Sequence, residues 1–232
     1  MARTLKPLPP LLAAIRDFDT CTVANTIEQF NLRLRNEGFS DSGVRSVFPE
    51  LPLIGYAMTA RIRSAQPPMT GRLYYDHLGF WNALARQPAP RVLVAQDIDR
   101  TPGIGAFVGE VHAVICQALD CVGYITNGAV RDLPAVEALG FPMFAGGVAV
   151  SHAYAHLVDF GQPIEIGGLH VEQGDLLYGD RHGVLSIPAE IADQVPAAAR
   201  ALRERESKLI SACRSDDFNL DRLAALLEPP SR

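Results

Sequence analysis

Apolar positions along the chain recur first at helical and then at strand spacing. Within residues 11–35, Leu12, Ile15 and Phe18 form one stripe, and Val23, Ile27, Phe30 and Leu34 form another behind the capping candidates Asp19 and Thr20. This spacing predicts two N-terminal helices. Gly38, Gly43 and Pro49 mark residues 37–52 as a connecting loop. Residues 53–62 read as a buried strand, and residues 91–98, with Val92-Leu93-Val94-Ala95, as a clearer one; residues 74–86 between them have a helical pattern. Residues 106–119 predict an amphipathic helix opening from the loop Thr101-Pro102-Gly103-Ile104-Gly105, with a short buried strand at 122–126 directly after it.

Beyond Phe141 the pattern shortens to β-like pieces punctuated by glycine, at 142–145, 163–166, 169–172, 175–179 and 184–187. Helical spacing resumes after Pro188 through Ile210, and a last short helix is expected at 220–227. The composite is α/β, with a β-rich centre and additional N- and C-terminal helices, and fits a layered sheet-on-sheet-on-helix domain better than a doubly wound one. No repeat or low-complexity linker divides the chain, so residues 1–232 are expected to form a single domain, with a core at about 18–190 and C-terminal helices at 189–228.

With 48% apolar and 20% charged residues among 232, the chain has the makeup of a globular protein with a real core. A formal charge of −5 argues against a surface built to bind phosphate backbones, so no nucleic acid partner is expected. No apolar run approaches the roughly 20 residues needed to span a bilayer, and residues 1–7 lack a signal-peptide core. No membrane association is expected, and the compartment is expected to be cytoplasmic. Cys21, Cys116, Cys121 and Cys213 are scattered and form no C-x-x-C pair, which suits reduced packing residues.

The densest polar signal in an apolar region is Asn127-Gly128-Ala129-Val130-Arg131-Asp132, where a buried strand ends and a helix begins. Spacing allows two readings. Asp132 can be the N-cap of a helix at 133–139, with Pro134 in its first turn and Arg131 as a surface ion-pair partner. Alternatively the pair belongs to a site, because α/β proteins place sites on loops at strand ends. A second, weaker signal is Gly103-Ile104-Gly105 followed by Gly109-Glu110, where backbone N–H groups can converge at a helix N-terminus to hold a carboxylate. Glu110 by itself is explained equally well as an acid complementing the helix dipole.

Twenty residues separate Glu110 from Arg131-Asp132. This spacing, with Leu139-Gly140-Phe141-Pro142-Met143-Phe144-Ala145, Ile166-Gly167-Gly168-Leu169-His170-Val171, Gly174-Asp175-Leu176-Leu177-Tyr178-Gly179-Asp180 and Gly183-Val184-Leu185-Ser186-Ile187-Pro188, resembles the 4-hydroxy-4-methyl-2-oxoglutarate aldolase family, which also includes the regulators of ribonuclease E activity. The resemblance covers about residues 18–210, and the ordered series is more specific than any of its pieces.

That resemblance implies a swivelling β/β/α domain, a homotrimer or homohexamer with active sites between subunits, and a divalent cation, Mg2+ or Mn2+, held by one carboxylate and several waters. By motif position the metal ligand is Asp132. Arg131 grips the substrate, a small 2-oxo acid, and Gly109, Glu110, Val111 and His112 contribute to its binding. Glu110 is the candidate base, and a further acid from a neighbouring subunit falls on the C-terminal helix, where this chain has Glu204 and Glu206. The implied reaction is retro-aldol cleavage of 4-hydroxy-2-oxo acids to pyruvate, with oxaloacetate decarboxylation as a side activity. A hard cation suits the carboxylate and keto oxygens of such a substrate. The non-catalytic regulators lack an acid at the Asp132 position, so its presence favours the enzyme.

The chain departs from its relatives in three places. Glu110 stands where Asp is common, Asn25 stands where many relatives carry Asp, and residues 31–52 form a longer segment. Other candidates are simpler to explain. His152 and His156 have i, i+4 spacing, but a glycine-rich β context makes a helical metal site doubtful. Asp180-Arg181-His182-Gly183 reads as a polar turn between strands. Tyr74, Tyr75, Phe80 and Trp81 suit a helix face in a core or interface, while His77 and His112 could join a pocket near Glu110. No P-loop, dinucleotide fingerprint or G-x-S-x-G motif occurs.

Overall fold

The computed structural model describes residues 7–68 and 78–227. The chain opens with α1 (Pro10–Arg16) and α2 (Thr20–Glu28), the latter capped by Asp19, whose carboxylate accepts the Thr22 N–H at 2.7 Å. The predicted second helix stops short of its expected end. Asn31 takes a left-handed φ of 53°, and Leu34, expected on the buried stripe, is exposed.

The following elements are β1 (Arg45–Ser46), β2 (Leu53–Arg63), α3 (Leu78–Arg86), β3 (Arg91–Asp97), β4 (Ala106–Val108), α4 (Glu110–Ala118), β5 (Cys121–Thr126), β6 (Ala129–Val130) and α5 (Leu133–Ala138). Then come β7 (Met143–Ala145), β8 (Gly147–Val148), β9 (His156–Phe160), β10 (Ile164–Ile166), β11 (Leu169–Val171), β12 (Leu176–Asp180), β13 (Gly183–Ile187), a 3-10 turn (Ala189–Ile191), α6 (Val195–Cys213) and α7 (Leu220–Leu227). Of the helix expected at 74–86, residues 74–77 lie outside the described residues, as do Tyr74, Tyr75 and His77.

The main sheet runs β1-β7-β5-β3-β2-β12-β13. Its centre, β2-β3-β5-β7, is parallel, and its flanks are antiparallel. Along its second edge β2 pairs first with β12 and then, from Ala60 onward, with β9. Both faces of the sheet are covered, which is why β3 reads as an unbroken apolar run. Leu93, Ala95, Tyr124 and Met143 point to the face packed with α3 and α4 residues such as Phe80, Leu84 and Cys116. Val92, Val94, Ile125 and Phe144 point to the other face, covered by the β10-β11 hairpin through Ile164, Ile166, Leu169 and Val171. Helices, sheet and hairpin thus form the expected α/β layering. At the β12-β13 end, α1, α2 and the start of α6 close a third apolar cluster.

The polar turn expected at residues 180–183 is the β12-β13 connection. Buried Asp180 accepts the Thr20 N–H (2.8 Å), the Thr20 hydroxyl (2.7 Å) and the His182 N–H (2.9 Å), tying α2 to the hairpin. Cys116 and Cys121 are buried as expected, whereas Cys21 and Cys213 are exposed. His152 and His156 do not share a helix, since His156 begins β9. No described helix is long and apolar enough to cross a membrane.

The expected start of the central amphipathic helix is different too. Ala106–Val108 is a strand, and α4 begins only at Glu110. The strands β4, β6 and β8 form a separate three-stranded parallel sheet. Each is fed by one of three adjacent main-sheet strands, β3, β5 and β7, so the small sheet continues the large one in the same order.

Candidate active site

The C-terminal ends of β4 and β6 deliver Gly109-Glu110 and Arg131-Asp132 to the same place. Ala106 lies opposite Ala129 and Val108 opposite Val130, and the Arg131 N–H donates to the Val108 carbonyl at 3.3 Å. Asp132 sits at the N-cap position of α5, but its φ and ψ are 58° and 36°, and its side chain makes no bond to its own helix. Aspartate tolerates this left-handed conformation better than most residues.

Its carboxylate turns instead to α4. Oδ2 accepts the Glu110 N–H at 3.1 Å and the Arg131 Nε–H at 3.3 Å. Gly109, at the N-cap of α4, has no side chain to offer, so Asp132 supplies the cap from the neighbouring strand and places negative charge at the positive end of the helix dipole. A Cβ on Gly109 would lie 2.3 Å from Asp132 Oδ2 and 2.9 Å from Arg131 Cγ, so the approach requires glycine. The side chains of Arg131 and Asp132 remain 29% and 36% exposed, so both can meet a ligand.

Of the other predicted site residues, Glu110 and Val111 are exposed on the first turn of α4. His112 is not available as expected. Its ring is buried, stacked on Phe107 with centroids 5.0 Å apart and tilted against Trp81 at 5.5 Å, which leaves only its main chain at the helix N-terminus. Glu204 and Glu206 are exposed on α6, which packs chiefly on α1, α2 and α7, so the fold of one chain does not join them to Arg131-Asp132.

Behind the site stand Asp97, which sequence reasoning did not single out, and Asn127, which it named in the polar motif without giving it a role. Asp97, at the end of β3, is 2% exposed, and its carboxylate accepts the N–H of Gly103 at 2.8 Å and of Asp99 at 3.1 Å. Burial pushes its pKa up, and those two donors only partly offset the shift. Asn127, at the end of β5, clamps the Asp97 main chain, with Oδ1 accepting its N–H at 2.7 Å and Nδ2 donating to its carbonyl at 3.0 Å. An acid closing a strongly apolar strand was the available signal for Asp97.

The residues fit a hard divalent cation held mostly by water. No group of three or more His, Cys, Asp or Glu capable of holding a metal occurs among the described residues, so a fully protein-ligated centre has no counterpart there. Asp132 Oδ1 has no hydrogen-bond partner among the described residues, and its half-exposed carboxylate can serve as a single direct ligand.

A layered α/β fold with an Arg-Asp pair at the end of a parallel strand, facing a helix N-terminus, defines the class of protein. The chain belongs to the RraA-like family, whose model, described as Aldolase/RraA, matches residues 20–186. A Halalkalibacterium halodurans protein provisionally named 4-hydroxy-4-methyl-2-oxoglutarate aldolase is 33% identical over 84 residues, 36% of this chain and 40% of that protein. The chain spans less than half the length of the curated relatives it matches, at 40%, 22% and 42%. Among solved structures, an uncharacterized protein of Pseudomonas syringae superimposes with a TM-score of 0.73 at 21% identity, covering 97% of this chain and 98% of that one. The Streptomyces coelicolor protein RraAS2, described as an unusual member of the RNase ES inhibitor RraA family, gives 0.68 at 19% identity, covering 90% and 100%. These two likenesses establish the fold.

Proposed function

We propose that this chain is a divalent-cation-dependent lyase that cleaves small 4-hydroxy-2-oxo acids, of the 4-hydroxy-4-methyl-2-oxoglutarate or 4-carboxy-4-hydroxy-2-oxoadipate type, to pyruvate, with oxaloacetate decarboxylation as a side activity. The observation that carries the reading is Asp132, held left-handed and turned from its own helix to the N-terminus of α4, with one carboxylate oxygen that has no hydrogen-bond partner among the described residues. Mg2+ or Mn2+ on that oxygen would polarise the keto group and offset the negative charge that develops on it.

The chain's own groups perform the rest. The Arg131 guanidinium pairs with the substrate carboxylate, a charge-assisted contact that a planar fork makes better than an ammonium. The Val111 N–H, in the first turn of α4, adds a donor to the same negative charge. Glu110 accepts the proton of the C4 hydroxyl. As that proton leaves, the C3–C4 bond breaks and its electron pair passes through C3 to the keto oxygen. The products are the enolate of pyruvate and a carbonyl compound, and protonation at C3 completes pyruvate. Glu204 or Glu206 of a second copy supplies a further acid in a homotrimer or homohexamer.

The test follows pyruvate release from oxaloacetate and from 4-hydroxy-4-methyl-2-oxoglutarate with Mg2+, with chelator and with Asp132→Ala. Chelator should abolish turnover, and Asp132→Ala should lower kcat/KM on the order of 100-fold, about 2.7 kcal/mol of transition-state stabilisation. Metal-independent release, or a mutant as active as the parent, sinks the lyase reading. Absence of turnover in the parent chain would favour an interaction protein resembling the ribonuclease regulators.

A further inference from the structure

The two halves of the site reach it by different routes. Gly109-Glu110 arrives from β3 through residues 98–105 and β4, whereas Arg131-Asp132 arrives from β5 through only Asn127-Gly128 and β6. The spacing between the halves therefore depends on what fixes the longer connection to the shorter one. Asp97 and Asn127 stand at that junction.

The Asn127 amide bonds both main-chain groups of Asp97, as an adjoining strand would, and so locks the end of β5 to the end of β3. From there the Asp97 carboxylate reaches forward to the N–H groups of Asp99 and Gly103, gathering the loop toward the same point. A second brace runs in parallel. The Gly105 N–H donates to the buried Ser64 hydroxyl at 3.1 Å, and the Asp99 carboxylate accepts the N–H of Ser64 and Ala65 at 2.6 and 2.8 Å. The junction also has no room to spare. A Cβ on Gly128 would meet Asp97 Cβ at 3.0 Å, and one on Gly146 would meet the Asn127 carbonyl oxygen at 2.3 Å.

We propose that Asp97 is a positioning residue, whose carboxylate and Asn127-clamped main chain set the alignment of β4 on β6 and hence of Glu110 against Arg131-Asp132. Asp97 is buried behind Arg131-Asp132 and its carboxylate is taken up by loop amides. A buried carboxylate is costly to keep, and an apolar residue would fill the end of a buried strand more cheaply. Its retention is accounted for by the two loop amides it collects.

The role rests on the lyase reading only for its effect on turnover, so the experiment reads alignment separately. In Asp97→Asn the side chain keeps its shape, but one of its two acceptors becomes a donor facing a backbone N–H. Amide hydrogen exchange followed by NMR should show the Arg131 amide, which bonds the Val108 carbonyl across β4 and β6, exchanging at least about tenfold faster, a loosening of local opening rather than of the whole fold. Amides of the β12-β13 ladder should be unchanged. With oxaloacetate and Mg2+, kcat should fall roughly 10- to 100-fold while KM stays within about threefold, since misplacement of bound groups costs rate more than binding.

Unchanged exchange at Arg131, or equal acceleration throughout the main sheet, overturns the proposal, the latter because Asp97 is then only scaffold. Asn127→Ala removes both clamping bonds and should give the same local signature. If neither variant folds, the pair is a folding requirement and the positioning role is refuted. A parent chain without turnover would refute the lyase reading alone and leave the exchange data to decide this one.

Discussion

Asp132 and His112 mark how far single residues were legible. Spacing placed Asp132 correctly at a helix start, and its main chain does occupy the α5 N-cap, but its side chain caps α4. That choice depends on a left-handed φ and on a neighbouring strand, neither of which leaves a trace in local sequence. His112 was legible and overlooked: His112, Ala113, Cys116 and Gln117 form the buried stripe of α4 at helical spacing, which turns the imidazole away from the exposed Glu110. Asp19 was read correctly as a cap and gives a test at this scale. Burial raises its pKa, but the Thr22 hydrogen bonds and the charges of Arg203 and His182 outweigh that and hold it below the ordinary carboxylate value. A depressed folded-state pKa contributes stability that is present above the unfolded value and lost as pH falls through the folded one. Asp19→Ala should therefore cost about 1 kcal/mol at neutral pH, and the gap should close as pH drops below about 4. Urea titrations of both proteins across that range check it, and a gap independent of pH would count against the cap.

At the scale of elements, the long apolar runs and the short glycine-punctuated strands β7 and β10 to β13 were legible, whereas β1, β4, β6, β8 and β9 were not. The strands β2, β3 and β5 and the helix α7 lie where the pattern put them, because burial on both faces or a clean amphipathic stripe repeats over enough residues. Ala106–Val108 has three apolar residues in a row, which fit the first turn of a helix as well as a strand, and only pairing with β6 decides between them. The tiny strands β6 and β8 carry two residues each and owe their existence to that pairing. Gly109, between β4 and α4, is the element boundary with the least tolerance. Gly109→Ala leaves an allowed backbone, with φ at −135°, but drives a methyl group into Asp132 Oδ2. Stability should fall by about 1–3 kcal/mol, and Mn2+ binding followed by electron paramagnetic resonance should weaken at least about tenfold. Unaltered Mn2+ affinity would separate Asp132 from the metal.

For the whole molecule, the layered architecture was readable from the order of patterns, whereas the surface is where the sequence was silent. Ile104, Val148, Val150 and Tyr154, on β8 and the segments flanking the small sheet, are exposed, as are Val111 and Val114 on α4. Apolar side chains gathered beside a site suit contact with another copy. In sedimentation velocity the chain should run as a trimer or hexamer, and Val148→Asp with Val150→Asp should shift it toward monomer; a parent that is monomeric at micromolar concentration contradicts the assembly. The succession of β3, β5 and β7 into β4, β6 and β8 has a consequence of another kind. Residues leaving neighbouring strands start about 4.8 Å apart whatever their identity, because hydrogen bonding fixes the interval. The side chain at position 110 can therefore be lengthened or shortened without moving its origin. A lineage built on this frame can exchange the groups at its strand tips one at a time and explore new substrates while the distances between those tips are inherited intact.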